Sequence, residues 1–273
     1  MSCPDCNRGS ILEGTPSGTI TKVDRVEAYF VSGAPSDASK GFAVVLLTDA
    51  FGLALVNSKI IADEISKELA CDVWVPDLFN GCRPLLDPDG MEAQLVPDRA
   101  GPWPMWDKIR LYIRIIGSLP TIFRSRPSVV DPRTAEFIKT IRKQNKYVKI
   151  GGVGYCFGAG VAARLAPFKV MDSMVLCHPS MLSDALIRAI NVPTAWACAE
   201  QDMAFSHQLR LKAEAIFAER KDKKGFVPYA FVDYKGTAHG FACRPNLAYE
   251  DVKAGFEGSL AQTVKWFRKT LVE

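Results

Sequence analysis

The sequence predicts an α/β fold, a doubly wound and mostly parallel sheet flanked by helices on both faces, and three observations carry that expectation. Short β-branched apolar runs alternate with longer amphipathic ones along most of the chain. The links between them are mostly short, as strand–helix–strand crossovers require. Residues able to do chemistry cluster just after the strand-like runs, where open α/β sheets build their sites. At 273 residues without a compositional break, one domain is expected over 1–273.

Residues 1–20 read as an N-terminal segment. The core pattern begins with GFAVVLLTDAFG at 41–52, a strand ending in a loop of small and polar residues. From Asn57, NSKIIADEISKELA sets Ile60, Ile61, Ile65 and Leu69 at helical spacing behind a cap at Asn57 or Ser58. CDVWVPDLF then reads as a second strand closed by Pro76, completing a βαβ unit. From 80 to 105 the pattern dissolves into a stretch rich in Pro, Gly and Asp, the signature of a cap-like excursion or binding loop.

Helical spacing resumes with DKIRLYIRIIGSL, and DPRTAEFIKTIRKQ adds a helix opened by Asp131 and Pro132. YVKIGGV is a strand that runs into GYCFG and the helix-forming GAGVAARLA. Three further strands follow, in MDSMVLCHPS, VPTAWACAEQD and FVPYAFVDYKG, with SHQLRLKAEAIFAERK and a terminal SLAQTVKWFRKTLVE as helices. The sum is a sheet of roughly six to eight strands.

Composition narrows the function. Net charge is +4, with 34 Lys and Arg against 30 Asp and Glu interleaved along the chain, so no nucleic-acid partner is expected. ERKDKKG at 219–225 reads as a solvated helix end. No run of about 18 apolar residues occurs and no basic segment leads into an apolar one, so neither membrane span nor leader is expected. A cytoplasmic protein with reduced thiols fits the eight cysteines, of which Cys71, Cys177 and Cys198 read as core. Cys3 and Cys6 form a lone CPDC with no second ligand pair, so no metal site and no cofactor are expected.

The chemistry gathers at GYCFG. A residue between two glycines at a strand-to-helix turn is the setting of a nucleophile elbow, and here that residue is Cys156. A thiol is mostly protonated at neutral pH, so it needs a base and benefits from a helix N-terminus. Three histidines are present. His207 falls inside a helix; His178 follows a strand and either lines the pocket or bonds its own turn; His239 lies between the last strand and the last helix, where a triad histidine belongs. Asp202 is preferred as the acid over Asp172, at a strand start, and Asp233, within a strand. The order Cys156, Asp202, His239 is that of α/β-hydrolases. The backbone N–H groups of Phe157 and Ala50 are the expected oxyanion donors.

GYCFG, TDAFG at 48–52, PDLF at 76–79, AEQDMAF around Asp202 and AHGF around His239 together resemble the dienelactone hydrolase family, the cysteine-using branch of the α/β-hydrolase fold. The similarity runs from about residue 20 to the end, and the opening MSCPDCNRGSILEGTPSG is similar to fungal members. The resemblance implies hydrolysis of a small carboxylic ester or lactone by a Cys-His-Asp triad through a thioester, without a cofactor. It sets Asp49 where relatives carry a glutamate that meets the resting thiol. It also sets Arg83 and Arg244 near the arginines that hold a substrate carboxylate, Arg244 being displaced by one residue. Phe51, Phe79, Trp103, Trp106 and Phe157 are expected to line an aromatic pocket with His178. The expected partner is a small-molecule substrate, and the expected state a monomer or homodimer. The alternative is a protein of this fold that binds, isomerises or cyclises a small metabolite without hydrolysis.

Overall fold

A computed structural model describes residues 11–33, 41–81, 105–106, 123–221 and 223–272, with isolated positions at 109, 113, 116 and 120. Its strands are β1 (Thr19–Val23), β2 (Val26–Val31), β3 (Phe42–Leu47), β4 (Asp72–Pro76), β5 (Lys149–Tyr155), β6 (Ser173–Cys177), β7 (Thr194–Gln201) and β8 (Tyr229–Ala238). The helices are α1 (Asn57–Leu69), α2 (Pro127–Asn145), α3 (Phe157–Leu165), α4 (Asp184–Ala189), α5 (His207–Ala218) and α6 (Glu250–Phe267). The strands form one sheet in the order β1-β2-β4-β3-β5-β6-β7-β8, parallel from β4 to β8 and antiparallel at β1 and β2.

All six residues of β3 are buried, because both faces of the sheet are covered. Ala43, Val45 and Leu47 face a layer built with α2, α3, α4 and α5, while Phe42, Val44 and Leu46 face α1 and α6. Burying each such Val or Leu side chain is worth about 1.5–3 kcal/mol. The chain leaves β3 toward β4 on one side and finds β5 on the other, so the order reverses there. In open α/β sheets ligands bind beyond the carboxyl ends of the strands at such a reversal, here those of β3 and β5.

Three local expectations are corrected. The sheet begins earlier than residue 41, with a β1–β2 hairpin that extends it antiparallel to β4. The hairpin turns at Asp24 and Arg25, with Asp24 at φ 51°, a left-handed conformation that Asp tolerates without a glycine to announce it. Helix α1 is preceded by Val56 with no side-chain cap. Asn57 instead accepts from Leu12 N–H at 3.0 Å and donates to the Cys243 carbonyl at 2.9 Å. Helix α2 starts at Pro127, leaving Pro132 inside it. Asp131 takes a bidentate pair of bonds from Arg164, at 2.7 and 2.9 Å, fastening α2 to α3.

Candidate active site

Cys156 joins β5 to α3 with φ 49° and ψ −108°, outside the regions L-residues ordinarily occupy. Such strain costs on the order of 1–3 kcal/mol and persists only where neighbours hold it. Here Cys156 N–H donates to the Cys177 carbonyl at 3.1 Å, and its own carbonyl accepts from Gly160 and Ser180 N–H at 3.2 and 3.1 Å. The flanking glycines have a steric reason. A Cβ at Gly154 would lie 2.6 Å from the Ala159 backbone, and one at Gly158 only 2.1 Å from the Leu47 carbonyl oxygen. The helix therefore lies directly on the strands, with the thiol at its N-terminus, where the dipole favours negative charge.

Asp202 and His239 come together because β7 and β8 are parallel neighbours, with Gln201 paired to Ala238 beyond a register shift. One residue past that pair, His239 N–H donates to the Gln201 carbonyl at 3.1 Å. His239 Nδ1 is 2.9 Å from both Asp202 oxygens. Asp202 Oδ1 also accepts from Ala204 and Phe205 N–H at 2.8 and 2.9 Å, and its side chain is only 1% exposed. The acid is thus clamped by its own loop, and the imidazole is left with Nε2 free for the thiol.

Burial alone would pull the His239 pKa down, but the Asp202 hydrogen bond, followed by the hydrogen bond and charge of Cys156, pushes it from 6.5 up to about 10. In the unfolded chain the ring loses its proton near pH 6.5; in the fold it keeps it toward 10. The pairing therefore stabilises the fold fully below pH 6.5, and that contribution fades as pH rises to about 10. Between pH 7 and 10 the wild-type melting temperature is expected to fall more steeply than that of His239→Gln. Parallel melting curves against pH would contradict the raised value.

His178 is fully buried behind His239, with ring centroids 5.0 Å apart in an edge-to-face contact, and it also packs on Phe241 and Tyr155. Neither ring nitrogen has a hydrogen-bond partner among the described residues. Burial, then the charges of His239 and Arg244, hold it well below the ordinary histidine range, so this ring is neutral. His207 is exposed at the start of α5, away from these contacts.

Asp49 is buried, but its described partners are not Cys156. Its Oδ1 accepts from Phe51 N–H at 3.0 Å, and its Oδ2 accepts from Arg244 Nε at 2.7 Å and from the Cys243 thiol at 3.4 Å. The Arg244 guanidinium lies over the Phe51 ring, 4.5 Å from its centroid. Phe51 N–H is committed to the Asp49 carboxylate, and Gly52 N–H donates to the Asp49 carbonyl at 3.2 Å. The β3–β5 register pairs Leu47 with Gly154, and Ala50 and Phe157 each lie three residues beyond that pair. Phe79 is buried against Phe157 at 5.2 Å between centroids, whereas Trp106 is largely exposed. Arg83, Trp103, Cys3 and Cys6, with most of the 80–105 excursion, fall outside the described residues. Among the described residues no group of three His, Cys, Asp or Glu side chains has the arrangement to hold a metal ion, and no helix is long and apolar enough to cross a membrane.

Two further neighbours of this site carry no mark in the sequence. Ser180 Oγ lies 3.8 Å from Cys156 Sγ, and Cys243 is buried against Asp49. The HPS and ACR stretches held them in view, but no spacing rule marks either residue.

A model of the dienelactone hydrolase family matches residues 26–271. Hydrolase tropI of Talaromyces stipitatus is 32% identical over 274 residues, covering 100% of this chain and 97% of its own. The Homo sapiens carboxymethylenebutenolidase homolog is 27% identical over 246 residues, covering 89% of this chain and 86% of its own. Among solved structures, the dienelactone hydrolase from Anabaena variabilis superposes with a TM-score of 0.57 over 93% of this chain and 97% of its own. At 11% identity that likeness speaks for the fold alone.

Proposed function

This chain belongs to the dienelactone hydrolase family, and on that premise we propose that it cleaves a small carboxylic ester or lactone by covalent catalysis through Cys156, His239 and Asp202. The observation that carries the reading is a histidine with Nδ1 anchored on a clamped carboxylate, raised in pKa partly by a thiol that stands on a strained strand-to-helix turn.

The Cys156 sulfur attacks the carbonyl carbon as thiolate, and the carbonyl π pair moves onto oxygen. Phe157 and Ala50 N–H donate to that oxyanion; loss of one such donor costs about 2.7–4 kcal/mol in subtilisin. As the tetrahedral centre collapses, the C–O bond breaks and His239 Nε2 gives its proton to the departing oxygen. An ester then releases its alcohol, whereas a lactone opens and keeps its hydroxyl on the acyl chain. Water next attacks the thioester, His239 takes the water's proton, and the sulfur leaves as the acid forms. Asp202 orients the ring through both protonation states. The scheme requires no cofactor, and its partner is a small-molecule substrate.

Asp202→Asn tests the assignment, because an amide leaves the fold's packing nearly unchanged but presents the wrong group to Nδ1. Turnover of a small aryl ester is expected to fall by about 10²–10⁴-fold with KM near its wild-type value. Turnover within twofold of wild type would remove Asp202 from the mechanism.

A further inference from the structure

The scheme above leaves unused the side chain whose polar atom stands within hydrogen-bonding range of the nucleophile's sulfur. The segment that carries it, from Cys177 to Ser180, is pinned through Cys177, His178 and Ser180. His178 takes a left-handed φ of 35° and donates its N–H to the Ala197 carbonyl at 2.8 Å, turning the chain toward the elbow. Ser180 N–H donates to the carbonyl of Cys156 itself at 3.1 Å. On the other side, a Cβ at Gly160 would lie 2.6 Å from the Ser180 carbonyl oxygen, so the loop is seated against the first turn of α3. Held this way, Ser180 Oγ meets Cys156 Sγ at 3.8 Å, a hydrogen-bonding distance for the larger sulfur atom, with the thiol donating.

We propose that Ser180 is a positioning residue for Cys156, its hydroxyl holding the sulfur in both of its protonation states. A hydroxyl is donor and acceptor at once and rotates to suit its partner. At rest it accepts from the thiol. Once the sulfur is the thiolate, facing the proton that His239 carries on Nε2, the same hydroxyl turns and donates to it. In the thioester the sulfur carries no charge and the contact is idle; when water displaces the sulfur, the hydroxyl donates again to the leaving thiolate. No bond to Ser180 forms or breaks, and its own proton stays on its oxygen. The inference rests on Cys156 being the nucleophile.

A donor to a thiolate raises its population more than it blunts its reactivity, because nucleophilicity falls by only about half as much as basicity on a logarithmic scale. Alkylation of Cys156 by iodoacetamide, followed by peptide mass across pH 6–10, reads this directly. At pH 7, Ser180→Ala is expected to react roughly three- to tenfold more slowly than wild type, from the loss of one hydrogen bond to a charged sulfur, and to recover that loss as pH rises. Ser180→Thr, which keeps the hydroxyl, is expected to restore the wild-type profile, and ester turnover should follow in kcat with little change in KM. Melting temperatures of all three proteins are expected to agree, since Ser180 is partly exposed and keeps its backbone bonds.

The outcomes separate the two levels of the argument. A reactive wild-type Cys156 with an unchanged profile in Ser180→Ala overturns the role of Ser180 alone. Slow reaction in both Ala and Thr variants also overturns it, since packing rather than the hydroxyl would then be responsible. A wild-type Cys156 no more reactive at pH 7 than free cysteine overturns the nucleophile assignment and this inference together.

Discussion

Cys156→Ala is expected to lower ester turnover by about 10⁴-fold or more while the protein remains folded. The large effect follows from the chemistry, because no other described side chain shares the elbow's position at a helix N-terminus beside His239. The small effect on folding follows from the packing. The bonds that hold residue 156 all run through its backbone, to Cys177, Gly160 and Ser180, and alanine keeps every one of them. Residual turnover after the substitution would come from binding and the oxyanion donors alone. Full activity in a folded Cys156→Ala protein would show that the reaction runs elsewhere.

The second large effect is on stability. Arg244→Ala is expected to destabilise the fold by about 3 kcal/mol, read as a lower midpoint of urea unfolding with an unchanged slope. The Arg244 and Asp49 side chains are 5% and 2% exposed and share a 2.7 Å bond. Removing the guanidinium strands a carboxylate whose remaining donors are Phe51 N–H and the Cys243 thiol. It also uncovers the Phe51 ring. Replacing both charges, in Asp49→Ala with Arg244→Met, is expected to recover part of the loss, because no uncompensated buried charge then remains. A single-variant loss below about 0.5 kcal/mol, the range of ordinary surface changes, would contradict the pairing.

What could be read in the sequence was what short-range constraint writes there. Gly154 and Gly158 flank Cys156 because helix α3 presses on β3 and β5, so the elbow is spelled out within five residues. Asp202 and His239 lie at the carboxyl ends of β7 and β8, and strand periodicity finds strand ends. Long-range partners stayed hidden. Asn57 stands where a cap is expected but bonds across 45 and 186 residues, and Asp49 meets Arg244 across 195. The β1–β2 hairpin went unread because its turn, Asp24–Arg25, lacks the glycine that usually marks one. Ser180 was in view as part of HPS, yet its value lies in a contact with a residue 24 positions earlier.

The central claim is that Cys156 carries the acyl group, and rapid mixing with a small activated aryl ester tests it most directly. The account predicts a burst of phenol close to one equivalent, with the acyl mass on the peptide containing Cys156 and neither burst nor adduct in Cys156→Ala. Absence of an adduct from folded, actively turning-over enzyme, or an acyl mass on any other residue, would contradict it.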